Sequence, residues 1–311
     1  MQILIQLKLS EVARRLIREN VTDADVIFSD PKWDDKTLLE AFLSAEVVFG
    51  NAPPQWLSKT TQLKWMQLIT VGVGQYKDTI QATQTVSNMH SFGKEVITET
   101  VIGGILTLYR KLDELAKLQV ERDWQMFRIR LSARQLYGSK VVVLGAGSIG
   151  GHLRPVLEAL GCSVALFAKR SQVELRSLDD LDNHLPEADI VIGCLPHTPE
   201  TAGMIDSKRL SRFKDGAIFV NVGRGSLVDE KALIEVLQNG KLGGAVLDVT
   251  ANEPLPTDSL LWTCPNTILT QHTSSGYDNE LVDKTQFFLN NLKRYRAGES
   301  VWNIVDFDRG Y

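Results

Sequence analysis

Arg224, Glu253 and His272 lie in three short stretches, "NVGRGSLVDE" (221–230), "DVTANEPLP" (248–256) and "TQHTSSG" (270–276). Each stretch follows an apolar run that reads as a strand. The three side chains therefore project from loops at the carboxyl ends of strands, where ligands of open α/β sheets bind. Together these residue types suit reduction of a 2-keto acid. An arginine at 224 would hold the substrate carboxylate and polarise the carbonyl oxygen as charge grows on it. His272 would deliver the proton, and Glu253 would orient the imidazole and keep it cationic near neutral pH. Each also has an ordinary reading: a turn residue, a surface acid before Pro254, a strand-end cap. As an ordered set the chemical reading is preferred. His197, in "CLPHTPETAGMI" (194–205), is a rival proton donor and ranks below His272, which has the matching Glu.

A second constellation precedes these. "VVVLGAGSIGG" (141–151) is a strand opening onto a glycine-rich turn and then a helix. Gly145 would permit the tight turn, Gly147 would let the backbone approach a pyrophosphate, and Gly150 would allow close packing of helix on strand. The dinucleotide fingerprint expects Asp or Glu about 20 residues further on, at the ribose. This chain has Ala168, Lys169, Arg170 and Ser171 there. A carboxylate would repel a 2′-phosphate, whereas Lys169, Arg170 and Ser171 suit one, so NADP is expected, with NAD as the alternative. The same residues also fit a solvated basic loop. Pro155 lies inside the helix that follows the turn and is expected to kink it.

These residues need a scaffold. The 311 residues suffice for two domains, and 43% apolar with 23% charged residues is ordinary for a globular chain. A net charge of −4 gives no electrostatic case for nucleic acid or an anionic membrane. Cys162, Cys194 and Cys264 are widely spaced without a C-x-x-C pair, which suits reduced thiols in the cytoplasm and argues against a metal site. The opening "MQILIQLKLSEVARR" lacks a basic leader region and reads as a first strand.

Short apolar runs alternate with helical patterns almost throughout. "ILIQL", "DVIF", "EVVFG", "LKWMQLI" and "QTVSN" form a first strand series; "KVVVLG", "SVALFA", "DIVIGC", "AIFVNV", "GGAVLDV" and "NTILTQ" form a second. Between them the pattern predicts one long helix, about 94–118. Alternation of this kind argues α/β architecture. The expected fold is two doubly wound parallel-sheet lobes: a Rossmann NAD(P)-binding domain (96–284) inserted into a flavodoxin-like substrate domain (1–95 plus 285–311).

The chain resembles the D-isomer-specific 2-hydroxyacid dehydrogenase family over nearly its whole length. "VGVG" (71–74), "GAGSIG", "CLPHTPETAGMI", "NVGRGSLVDE", "GAVLDVTANEPLP", "HTSSG" and "NIVDFDRGY" carry the resemblance. It implies an NADP-preferring reductase of small 2-keto acids, of glyoxylate or hydroxypyruvate type, and a homodimer formed largely through the nucleotide domain. It assigns Arg224, Glu253 and His272 the roles argued above, and gives the amides of Val73 and Gly74 to the substrate carboxylate. Cofactor contacts are implied at Ser148, Ile149, Leu195, Pro196, Thr201, Val222, Asp248, His272 and Ser274, besides the glycines and Lys169–Ser171. The sequence departs from the family pattern at Gln75, Tyr76, Met89, His90 and His197. Two alternatives share the fold. A nucleotide-sensing corepressor is expected to carry a disordered tail, whereas this chain stops at Tyr311. A formate dehydrogenase normally lacks the Glu of "DVTANEP".

Overall fold

The computed structural model describes residues 1–169 and 171–307, and the chain divides into two compact units. The first is Met1–Phe92 together with the segment from Tyr277 onward, and the second is Gly93–Gly276.

In the first unit five strands, β1 (Gln2–Ile5), β2 (Asp25–Phe28), β3 (Val47–Phe49), β4 (Trp65–Gln67) and β5 (Thr85–Ser87), pair in parallel in the order β2-β1-β3-β4-β5. This is the flavodoxin-like winding, with its switch point between β1 and β3. The two-residue side-chain period of a strand divides the apolar residues between two faces. Ile3, Ile5, Val47, Phe49 and Trp65 belong to one core, with Ala13 and Ile17 of α1 (Glu11–Asn20). Leu4, Val48 and Met66 belong to the other, with Phe42 of α2 (Asp35–Ser44) and Trp56 of a short 3-10 helix, Pro54–Lys59.

The second unit holds β6 (Lys140–Leu144), β7 (Ser163–Phe167), β8 (Ile190–Gly193), β9 (Ala217–Asn221), β10 (Leu242–Leu247) and β11 (Thr267–Leu269). They pair in parallel in the order β11-β10-β9-β8-β6-β7. Beyond β7 the next strand position is reduced to one parallel bridge, Phe167 with Leu175, which the sequence reading did not include. Counting it, strands alternate about β6 in the Rossmann manner, and the crevice opens at the carboxyl ends of β6 and β8. Val141 and Val143 pack with α3 (Lys94–Arg110) and with α6 (Ser148–Ala159) on one face. Val142 and Leu144 pack on the other face, with Leu181 of α7 (Leu178–His184), Leu210 of α8 (Ser207–Arg212) and Leu233 of α9 (Glu230–Gln238).

One expectation needs correction. The long helix over 94–118 is two helices, α3 and α4 (Leu112–Glu121), because Lys111 takes a left-handed conformation at φ 58°. Lysine has no preference for that region, so composition gave no sign of the break. A short α5 (Met126–Ser132) follows. Pro155 lies inside α6, which runs as one element through it. The two compact units meet at 92/93 and 276/277, where the sequence reading set 95/96 and 284/285. At the first crossing Gly93, at φ 78°, caps α3 directly. At the second, α10 (Glu280–Arg296) stays whole, since its Phe288, Leu289 and Leu292 sit in the Ile3–Ile5 core and Phe288 stacks on Phe49 at 4.4 Å.

Candidate active site

The turn between β6 and α6 is built around close backbone approach. Gly145 has φ 126°, and a Cβ on Gly150 would lie 1.9 Å from the Gly145 carbonyl oxygen, so no larger residue fits there. At Gly147, the cap of α6, the corresponding space is open. Ser148 Oγ, one residue on, is buried and has no hydrogen-bond partner among the described residues. A buried hydroxyl left unpaired at a helix N-terminus, below an open glycine backbone, fits a dinucleotide pyrophosphate. Ile149 packs beside the β6 core. Cys194, where β8 leaves the sheet, donates from Sγ to Leu144 O at 3.2 Å, and burial pushes its thiol up to about 12. It is a neutral wall of the crevice rather than a nucleophile.

Downstream of β7 the Ala168 amide donates to Leu175 O at 3.0 Å, and Lys169 and Ser171 are exposed. Arg170, the other cation assigned to a 2′-phosphate, lies outside the described residues. In the loop after β8, Leu195 and Pro196 are half-buried. The Thr201 hydroxyl donates back to Pro196 O at 2.6 Å, so it braces this loop. Val222 is buried in the core that includes Ile192 and Val246.

Arg224 caps a one-turn 3-10 helix, Gly225–Leu227, after β9. The fully buried Asn221 makes both of its turn contacts: Nδ2 donates to Arg224 O at 2.9 Å, and Oδ1 accepts from Gly223 N at 3.2 Å. The Arg224 guanidinium is half-buried and donates to Gly223 O at 2.7 Å. A Cβ on Gly225 would fall 1.9 Å from Thr250 O, so this turn and the loop carrying Glu253 are pressed together.

His272 Nδ1 and Glu253 Oε2 are 2.7 Å apart. A carboxylate can only accept, so Nδ1 donates and Nε2 remains for a second partner. The ring is 55% exposed, and its position is set by backbone more than by packing. Gln271 and His272 both sit at positive φ, 53° and 57°, a conformation non-glycine residues hold only when their surroundings impose it. Asp248, 4% exposed, does so. Its Oδ1 accepts from Thr270 Oγ1 (2.7 Å), Thr273 N (3.0 Å) and Ser274 N (3.0 Å), and its Oδ2 from Ser274 Oγ (2.6 Å). Its carbonyl accepts the His272 amide at 2.7 Å. Asp248 and Ser274, expected at the cofactor, are thus joined to each other at the base of the loop that carries His272.

The rival histidine has a different setting. His197 Nδ1 lies 2.7 Å from Ser226 Oγ, with no acid among the described residues bonded to it. Val73 and Gly74 belong to the first unit, in a turn secured by Asn88 Nδ2 to Val71 O (3.0 Å) and Tyr76 OH to Ala52 O (3.0 Å). Among the described residues, the amides of Val73 and Gly74 donate to no protein group. Asn221 and the anchoring role of Asp248 were missed by sequence reasoning. The one available signal was a polar residue ending a strand that is otherwise buried on both faces.

Comparison with known proteins agrees with this fold. Residues 102–274 match the family model described as the NAD binding domain of D-isomer specific 2-hydroxyacid dehydrogenases. The glyoxylate/hydroxypyruvate reductase B of Serratia proteamaculans is 32% identical over 283 residues, covering 86% of each chain. The glycerate dehydrogenase of Methylorubrum extorquens is 29% identical, covering 88% of this chain and 90% of its own. A D-isomer specific 2-hydroxyacid dehydrogenase from Xanthobacter autotrophicus, crystallised with NADPH and MES, superposes with a TM-score of 0.81 at 26% identity. That match covers 100% of this chain and 99% of the other.

Proposed function

Because the chain belongs to the D-isomer specific 2-hydroxyacid dehydrogenase family, whose members are oxidoreductases, we propose that it reduces a small 2-keto acid to the D-2-hydroxy acid, with NADPH as the hydride donor and glyoxylate or hydroxypyruvate as substrate. The observation that supports this most is the 2.7 Å bond between Glu253 and His272, in the loops flanking the strand ends of a dinucleotide fold. Bound NADPH supplies a hydride to the carbonyl carbon. The protein's own residues do the rest. Arg224 pairs with the carboxylate and stabilises negative charge as it develops on the carbonyl oxygen. His272 donates its Nε2 proton to that oxygen, while Glu253 holds Nδ1 and balances the imidazolium charge before transfer. The amides of Val73 and Gly74, unpaired among the described residues, are assigned to a substrate carboxylate oxygen.

The choice of NADPH rests on Lys169 and Arg170 standing where an acid would select NAD, and on the Xanthobacter relative, which was crystallised with NADPH. The choice of substrate rests on the Serratia and Methylorubrum relatives, since hydroxypyruvate is the keto form of glycerate. A homodimer through the nucleotide unit is supported by α4–α5, where Val120, Trp124, Phe127 and Leu131 are 71–88% exposed, an apolar surface that a monomer rarely leaves to water. Three unpaired cysteines suit a cytoplasmic setting. An NADPH-oxidation screen across 2-keto acids, repeated with NADH, tests the assignment. Failure of every 2-keto acid with either cofactor would overturn it.

A further inference from the structure

The loop that carries Glu253 is poorly held by packing: Ala251, Asn252, Glu253 and Pro254 are all exposed. Two of its bonds are internal, Thr250 N to Glu253 Oε1 at 3.1 Å and Thr250 Oγ1 to Asn252 O at 2.8 Å. They give the loop its shape without fixing where it sits. Besides His272 at Glu253, a second side chain reaches it from outside. Glu230, the first residue of α9, turns away from its own helix, and its Oε2 accepts the Ala251 amide at 2.8 Å across 21 residues of sequence. The helix beneath is a firm base, with Ala232, Leu233 and Leu237 buried and Asp229 capping it through the Ala232 amide at 3.1 Å.

We infer that Glu230 is a positioning residue for the Glu253–His272 pair, setting the distance from carboxylate to imidazole by anchoring the exposed loop at Ala251. This rests on the reading that the pair handles the proton. Glu230 touches neither substrate nor cofactor in this role. It acts on Glu253 through two peptide units. Gly225 supports the loop from the other side, where Thr250 O lies against it, but that contact is a stop and not a tether. Loss of the Glu230 bond leaves the Ala251 amide to water and lets the loop swing away from His272.

The test is steady-state reduction kinetics against pH. Glu230→Ala is expected to lower kcat by about tenfold to a hundredfold, the scale on which a displacement of about 1 Å acts, with the KM for NADPH little changed. The alkaline limb of the rate profile is expected to move to lower pH, in the same direction as is expected for Glu253→Gln. Glu230→Gln, whose amide oxygen still accepts the Ala251 amide, is expected to recover most of kcat. In a Glu253→Gln background, Glu230→Ala should lower the rate little further, because both changes act on one interaction. A merely structural role would lower thermal stability without moving the pH limb. Should Glu230→Ala fail to fold, Ala251→Pro removes the donor instead and carries the same expectation. Wild-type kcat and pH limb in either variant, or full additivity with Glu253→Gln, would overturn the inference. If Glu253→Gln itself changes neither rate nor profile, the proton-transfer reading has failed and not merely the role of Glu230.

Discussion

Replacing Asp248 is expected to unseat His272 without touching it. The carboxylate accepts four bonds, and the two from Ser274, at 3.0 Å and 2.6 Å, involve a residue that is itself buried. Hydrogen bonds to a charged group contribute about 1.5–3 kcal/mol each, so Asp248→Ala should destabilise by about 3–6 kcal/mol from these two alone. The Thr270 and Thr273 donors lie nearer the surface, where water substitutes, and add less. Without the carboxylate, Gln271 and His272 are held at positive φ, a conformation that costs about 1–3 kcal/mol per residue, by little more than the His272 amide bond to the Asp248 carbonyl. The loop should relax and carry the imidazole away from Glu253, with kcat falling about a hundredfold. Asp248→Asn separates geometry from charge. Its Oδ1 still accepts from Thr270, Thr273 and Ser274, and the Ser274 hydroxyl can turn to accept from Nδ2. That variant should lose only about 1–3 kcal/mol and most of its activity should survive. Urea unfolding gives the stabilities and NADPH oxidation the rates. Wild-type kcat in Asp248→Ala would refute the claim that this carboxylate holds the catalytic loop.

Further expectations follow from the same geometry. Arg224→Ala should depress kcat/KM by orders of magnitude, since a buried charge-assisted bond contributes about 1.5–3 kcal/mol and a transition-state contact more; Arg224→Lys should rescue poorly, lacking the planar two-point contact. His272→Asn should be far more damaging than His197→Asn, because only His272 has a carboxylate on its second nitrogen, and a reversed ranking would reassign the proton donor. Asp189 offers a test in acid. Burial alone would push its carboxyl up, but bonds from Lys214 Nζ (2.7 Å) and the Lys140 amide (2.9 Å), with the nearby Lys214 and Arg134 charges, hold it below the ordinary range. A depressed folded-state pKa stabilises fully above the unfolded value of about 3.9, and that contribution is lost as pH falls through the folded value. Asp189→Asn should therefore be less stable than wild type in urea at neutral pH, and the gap should narrow as the pH falls through the depressed folded-state value.

The strands were legible because parallel strands buried on both faces leave uninterrupted Val, Ile and Leu runs, as in Val141–Leu144 and Ile190–Ile192. The glycine turn was legible because Gly150 has no substitute against the Gly145 carbonyl. The Glu253–His272 pair was legible as part of an ordered set. What was hidden has a common cause. The break at Lys111 depends on a backbone conformation that its side chain does not favour. The Leu175 bridge is a single pairing with no pattern to show it. Asn221, Glu230 and Asp248 work through hydrogen bonds to backbone or to distant loops, and an Asn, Glu or Asp at a strand or helix end is equally common as a cap or a solvated surface group. Only the fold tells which partner each one meets.

The most direct test of the central claim is the initial rate of hydroxypyruvate and glyoxylate reduction, measured with NADPH and with NADH in wild type and in His272→Asn. The account expects saturable turnover by the wild type, with kcat/KM favouring NADPH by about tenfold or more through the Lys169–Arg170 pair. In His272→Asn that turnover should be lost by orders of magnitude. Cofactor oxidation that is no faster in wild type than in His272→Asn, for either 2-keto acid and either cofactor, would contradict it.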